Sequence, residues 1–157
     1  MRLRSLLCSI ALLAIAAPLH AQATARDSVL ATIQTFLDGM RAKDTVAMRS
    51  VVDSMTRMTL LRPTQTGGIR VVAVSAEQFV RMASNPNQPG IDEPIRNPVV
   101  QIDGPLASVW TEYQVRREGR VSHCGFDAFH LARLDGKWKI LNVSDTFRTT
   151  GCGEMWK

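Results

Sequence analysis

The sequence predicts an α+β fold in which helices come first and a long antiparallel meander closes the chain. Two observations predict it. Apolar residues recur at helical spacing through the first part of the chain, and the last third is β-rich and broken by Gly-containing pairs. The chain has 157 residues, 45% of them apolar and 21% charged. That composition suits one folded domain and excludes a disordered or fibrous chain.

The elements follow in order. Asp27 or Ser28 can cap a first helix, whose Val29, Ile33, Phe36, Leu37 and Met40 form one apolar face. Asp44 suits the cap of a second, shorter helix that would bury Val51, Val52 and Met55. Residues 58–62 and 69–74 suit short strands, separated by Pro63 and Gly67-Gly68. Ser75 and Gln78 have capping-box spacing, and Phe79 with Met82 gives a short third helix an inner face. Residues 84–98, with Pro86, Pro89, Pro94 and Pro98, read as a loop. Segments 99–103, 106–117, 121–134 and 137–148 read as strands joined through Gly104-Pro105, Glu118-Gly119 and Asp135-Gly136. Asp-Gly is favoured in a two-residue hairpin, because both positions need positive φ.

Residues 1–21 have a basic head (Arg2, Arg4), a run from Leu6 to Pro18 that is apolar except for Ser9, and Ala21 at the end. This is the pattern of a secretory signal peptide, leaving residues 22–157 as a single domain, periplasmic or secreted. The apolar run is too short to span a bilayer, so no membrane span is expected in the mature chain. Losing Arg2 and Arg4 lowers the formal charge from +5 to +3. The remaining basic residues form no continuous basic face, which argues against a nucleic-acid partner. Cys8 leaves with the leader. The surviving pair, Cys124 and Cys152, is expected to form a disulfide in an oxidising compartment.

Turns centred on Glu118-Gly119 and Asp135-Gly136 define a register. They put Tyr113 opposite Cys124, Thr111 opposite Phe126, Val109 opposite Ala128, His130 opposite Leu141, and Phe126 opposite Asp145. On this reading Tyr113, Phe126, His130, Leu141, Val143 and Asp145 share the face that covers the helices and would line a ligand pocket. Trp110, Glu112, His123, Asp127 and Trp138 fall on the other face, as a polar network or a dimer interface. A histidine on an apolar face must find a polar partner. His130 and Asp145 are therefore the expected ligand anchors, or the acid–base pair if a reaction is catalysed. No phosphate loop, His-Glu-x-x-His, Cys-x-x-Cys or Gly-x-Ser-x-Gly is present, so no cofactor or metal is expected.

A long helix, two shorter helices and a closing sheet ending in Asp135-Gly136-Lys137-Trp138-Lys139-Ile140 resemble the nuclear transport factor 2-like superfamily. The stretch Ser122-His123-Cys124-Gly125-Phe126-Asp127-Ala128-Phe129 resembles more narrowly its bacterial branch labelled putative lumazine-binding. The resemblance covers residues 27–148. It implies a cone of three N-terminal helices on a curved, mostly antiparallel sheet, with a pocket between them, pairing through the outer sheet face and a flat heterocyclic ligand. The superfamily holds steroid isomerases, polyketide cyclases, dehydratases, epoxide hydrolases and many non-enzymes, so fold alone does not fix function. His130 falls near the position of an oxyanion-stabilising acid in the steroid isomerases. Arg57-Met58-Thr59-Leu60 stands where their catalytic carboxylate belongs, and it offers no base. The resulting expectation is an exported homodimer that binds a small, largely apolar or aromatic molecule. A lyase, isomerase or hydrolase, or a non-catalytic dimeric scaffold, is the alternative.

Overall fold

The computed structural model describes residues 16–156, with side chains from Thr24 onward. The expected leader falls mainly on residues 1–15, outside the described residues. The first helix, α1 (Ala16–Ala42), already runs from Ala16 and passes Asp27 and Ser28 without a break. Its Val29, Ile33, Phe36, Leu37 and Met40 are all buried, as their spacing requires. Asp44 caps α2 (Thr45–Ser50) by accepting from the Val46 and Ala47 amides, each at 2.9 Å.

After α2 the chain is extended. Strand β1 (Val52–Pro63) begins six residues earlier than the sequence pattern suggests, and Met55 is exposed rather than part of a helix face. The cause is a bulge between Val52 and Arg57, which breaks the alternation on which a period-2 reading depends. Strand β2 (Ile69–Ser75) leads directly into α3 (Ala76–Ala83), with the Ser75–Gln78 capping box formed. Ala76, Val80 and Ala83 form the inner face of α3. Met82 is instead exposed, and Phe79 stacks on Phe36 of α1 at 5.8 Å.

The meander follows as β3 (Ile95–Asp103), β4 (Leu106–Arg117), β5 (Arg120–Leu134) and β6 (Lys137–Asp145), then a short α4 (Cys152–Met155). Glu118-Gly119 and Asp135-Gly136 both take positive φ at both positions, the backbone that two-residue turns demand. Six strands form one sheet in the order β2-β1-β6-β5-β4-β3, antiparallel except where β1 runs parallel to β6. Helices α1 and α3 pack on its concave side. Between them lies a core that includes Ile33, Met48, Val80, Val109, Leu131 and Ile140. Full burial of such a side chain stabilises the fold by about 1.5–3 kcal/mol.

Two bulges revise the predicted register. Val115 pairs with His123 while Arg116 pairs with Val121, so Ser122 is an extra residue in β5. Leu131 pairs with Ile140 while His130 pairs with Asn142, so Leu141 is an extra residue in β6. Because side chains alternate, a one-residue insertion sends the rest of a strand to the opposite face. The partners of Tyr113, Thr111 and Val109 are therefore Gly125, Asp127 and Phe129. Beyond Leu141 the second bulge restores the expected side, and Val143 and Asp145 point inward.

Cys124 and Cys152 form a disulfide, with their Cα atoms 5.6 Å apart. The bridge fastens α4 over the outer face where β4 and β5 leave it, and the buried Gln114 donates to the Cys152 carbonyl at 3.2 Å.

Candidate functional site

The concave side of the sheet and the helices line a cavity of about 170 Å³ that is partly open to solvent. Its apolar walls come from Phe36, Leu37 and Met40 of α1, Met58 and Leu60 of β1, Phe79 of α3, and Phe129 and Val143 of the meander. Met58 and Leu60 alternate with outward residues on β1, and the next inward residue is Arg62. One strand therefore supplies two greasy side chains and then a cation.

The polar end gathers residues distant in sequence. Asp127 and Asp145 are direct cross-strand partners on β5 and β6, and both face inward. Arg62 donates to both oxygens of Asp145, at 2.6 and 2.7 Å, and the Leu61 amide donates to the same carboxylate at 3.2 Å. This bidentate pair is only partly exposed, a setting in which charge-assisted bonds are strong. Glu93, from the segment before β3, lines the same space.

Asp127 is 2% exposed, and its Oδ2 has no hydrogen-bond partner. Burial, reinforced by Glu93 and Asp145, holds its carboxyl well above the usual range. Burial likewise pushes Glu93 up to about 8, with Asp145 adding repulsion and Arg62 opposing it. His123 is pushed down to about 4, first by burial and then by Arg62 and Arg117. Its ring stacks on Phe147 at 4.4 Å, and the Arg62 guanidinium lies 5.0 Å from the centre of the same Phe147 ring. Burial and the neighbouring carboxylates raise Tyr113, whose hydroxyl donates to the Thr146 carbonyl at 2.7 Å.

The expected site residues separate accordingly. Val143 and Asp145 line the cavity, and Tyr113 is buried on the inner face beside it. Leu141 is the bulged residue of β6. Phe126 lies on the outer face, stacked on Trp110 at 5.1 Å, and His130 is exposed on that same face next to Ser108 and Asn142. The Ser122 bulge is the reason. It also carries His123 and Asp127 inward, away from the outer network expected of them, while the alternation in β6 before its bulge buries Trp138 in the core. Trp110 and Glu112 remain outside, where Glu112 approaches Arg96 at 3.5 Å. Sequence reasoning passed over Glu93, which sits in a proline-rich segment, and Arg62, which sits beside Pro63. Glu93 carries no periodic signal, while Arg62 continues the alternation of Met58 and Leu60, a signal that could have placed it inward.

Among the described residues, no group of three or more His, Cys, Asp or Glu is placed to hold a metal ion. None of the described helices is long and apolar enough to cross a membrane.

Comparison with known proteins places this geometry in a family. A family profile described as "Putative lumazine-binding" matches residues 24–145. The chain belongs to this family. The match spans α1 through β6 and so includes every cavity-lining strand and helix named above. Solved structures share the fold of this lumazine-binding family member at low identity. An NTF2-like protein from Cytophaga hutchinsonii is 15% identical, covers 78% of this chain and 98% of its own, and has a TM-score of 0.64. A protein described as a putative dehydratase of the NTF2-like family, from Streptomyces avermitilis, is also 15% identical, with 81% and 98% covered and a TM-score of 0.63. The association domain of C. elegans CaMKII is 20% identical, with 80% and 97% covered and a TM-score of 0.61. No curated protein matches the chain in sequence.

Proposed function

We propose that the chain is an exported small-molecule-binding protein whose ligand sits in the cavity between α1, α3 and the concave sheet. The carrying observation is the concave, mostly apolar space that ends in a buried carboxyl group with an unpartnered oxygen. Concave apolar sites with a few convergent polar groups are the usual form of a ligand pocket. The family's description supports a flat heterocycle as ligand, and the apolar walls suit one. The leader pattern and the disulfide support export.

Lumazine itself is the first probe, followed through its own fluorescence. It should bind one per chain, and Met58→Trp, which fills the cavity from β1, should weaken binding at least about tenfold while leaving the circular dichroism spectrum unchanged. Equal binding by the variant would remove the cavity from consideration.

A catalytic reading has one observation in its favour. Glu93 is raised to about 8, and Asp127 is raised by burial in the same direction, the shift a general acid needs. They, and not the exposed His130, are then the acid–base candidates, with Asp145 tied to Arg62.

The outer sheet face supports pairing of two copies. Val99, Leu106 and Trp110 are exposed there by half or more, beside Phe126.

A further inference from the structure

The polar end of the cavity carries information about ligand charge. Five elements converge on it: β1 contributes Arg62, the segment before β3 Glu93, β4 Arg117 and Tyr113, β5 His123 and Asp127, and β6 Asp145. Arg62 is already committed. Its two terminal nitrogens hold Asp145, and one of them also donates to the Leu61 carbonyl at 3.0 Å. Arg117, the last residue of β4, lines the same space near His123, and the Tyr113 hydroxyl is turned to Thr146. His123 adds no charge at neutral pH, because burial and two arginines keep it neutral.

Asp127 is therefore left buried with an oxygen that has no donor, and the partly exposed Glu93 lines the same space with no ion pair of its own among the described residues. A buried carboxylate needs a donor or a counter-charge. An anionic ligand would meet three carboxyl groups. A planar cation would satisfy two of them at once and bring its own charge.

We propose that the cavity selects a planar organic cation of the amidinium or protonated aromatic amine type, its N–H groups donating to Asp127 and Glu93 and its ring lying against Met58, Phe36 and Phe129. This rests on the cavity being the ligand site and specifies the charge of what enters. Binding then has a proton balance. In the free protein Glu93, raised to about 8, holds its proton near neutral pH, and burial raises Asp127 in the same direction. An entering monocation ionises one of the two, one proton leaves to solvent as an N–H···O⁻ bond forms, and the other carboxyl keeps its proton and accepts through its carbonyl oxygen. A neutral ligand that accepts from a protonated carboxyl would show the opposite pH trend.

Benzamidine, benzamide and benzoate have nearly the same shape and differ in charge. Calorimetric titration of the whole protein with each, at pH 6, 7 and 8 and in buffers of different ionisation enthalpy, separates the cases. Benzamidine should bind at least about tenfold more tightly than the other two and release protons. Its affinity should rise with pH by up to about tenfold per unit, the limit for one proton released. Asp127→Asn and, independently, Glu93→Gln should each weaken benzamidine about tenfold and flatten its pH trend, narrowing its advantage over benzamide. Benzamide binding as tightly as benzamidine, or benzamidine affinity that is flat or falling with pH, overturns the cation assignment and leaves the cavity reading standing. Lumazine binding with no benzamidine binding does the same. Failure of all four probes overturns both.

Discussion

Gly125 stands where β5 passes closest to the chain leaving β6. A Cβ there would lie 2.1 Å from the Thr146 carbonyl oxygen and 2.8 Å from the Tyr113 ring, so no larger residue fits without moving the backbone. Two residues on, Asp127 is brought to the polar end by the same stretch of strand. The buried acids there leave a mark on stability. Glu93 is raised from 4.5 to about 8, and Asp127 is raised as well, so the folded protein holds protons that the unfolded chain has released. This contribution is complete below the unfolded values and is lost as pH rises through the folded ones. His123, lowered from 6.5 to about 4, acts in the other sense, and its contribution is lost as pH falls from 6.5 toward 4. Between pH 6.5 and 8 the carboxyl effect acts without it. The urea midpoint should fall across that window, and it should fall less in Glu93→Gln. A midpoint that rises with pH there would contradict the burial of these acids.

At the scale of the element, the disulfide closes a loop spanning 28 positions and fastens α4 and the C-terminal segment to β5. In the chain-entropy model a loop of that size contributes about 3–4 kcal/mol. The double variant Cys124→Ser/Cys152→Ser should lose stability on that scale in urea unfolding, while the far-ultraviolet spectrum of the sheet persists. The helices were largely legible because their signals are local. Asp44 and the Ser75–Gln78 box cap as their spacing requires, and the apolar face of α1 is buried residue for residue. The hairpin turns were legible too, since Asp-Gly and Glu-Gly carry the φ values themselves. The facing of β5 was not. Nothing in Val121-Ser122-His123 marks Ser122 as an extra residue, because the bulge is fixed by how β5 meets β4, a contact between distant positions. That one residue inverts the strand, placing His130 outside and Asp127 inside. Leu141 repeats the effect in β6, so Val143 and Asp145 kept their expected side only because two insertions cancel there.

The whole molecule is a curved sheet with two chemically different faces. Its concave face is closed by α1 and α3 around the cavity. The convex face leaves Val99 59% exposed, Leu106 54% and Trp110 50%, and the Trp110–Phe126 stack lies among them. Scattered apolar residues on a surface need no explanation, but a contiguous group on one sheet face does. If two copies pair through this face, Trp110→Lys should halve the sedimenting mass, and lumazine affinity should hold because the cavity opens on the other side. An unchanged sedimentation profile would place the contact elsewhere. The central claim is that small molecules enter the concave side. Methyl-resolved NMR of the protein during titration with lumazine tests it most directly. Shifts at Met40, Met58, Leu60 and Val143, with Val99 and Leu106 unmoved, are the expected result, and shifts confined to Val99 and Leu106 would contradict it.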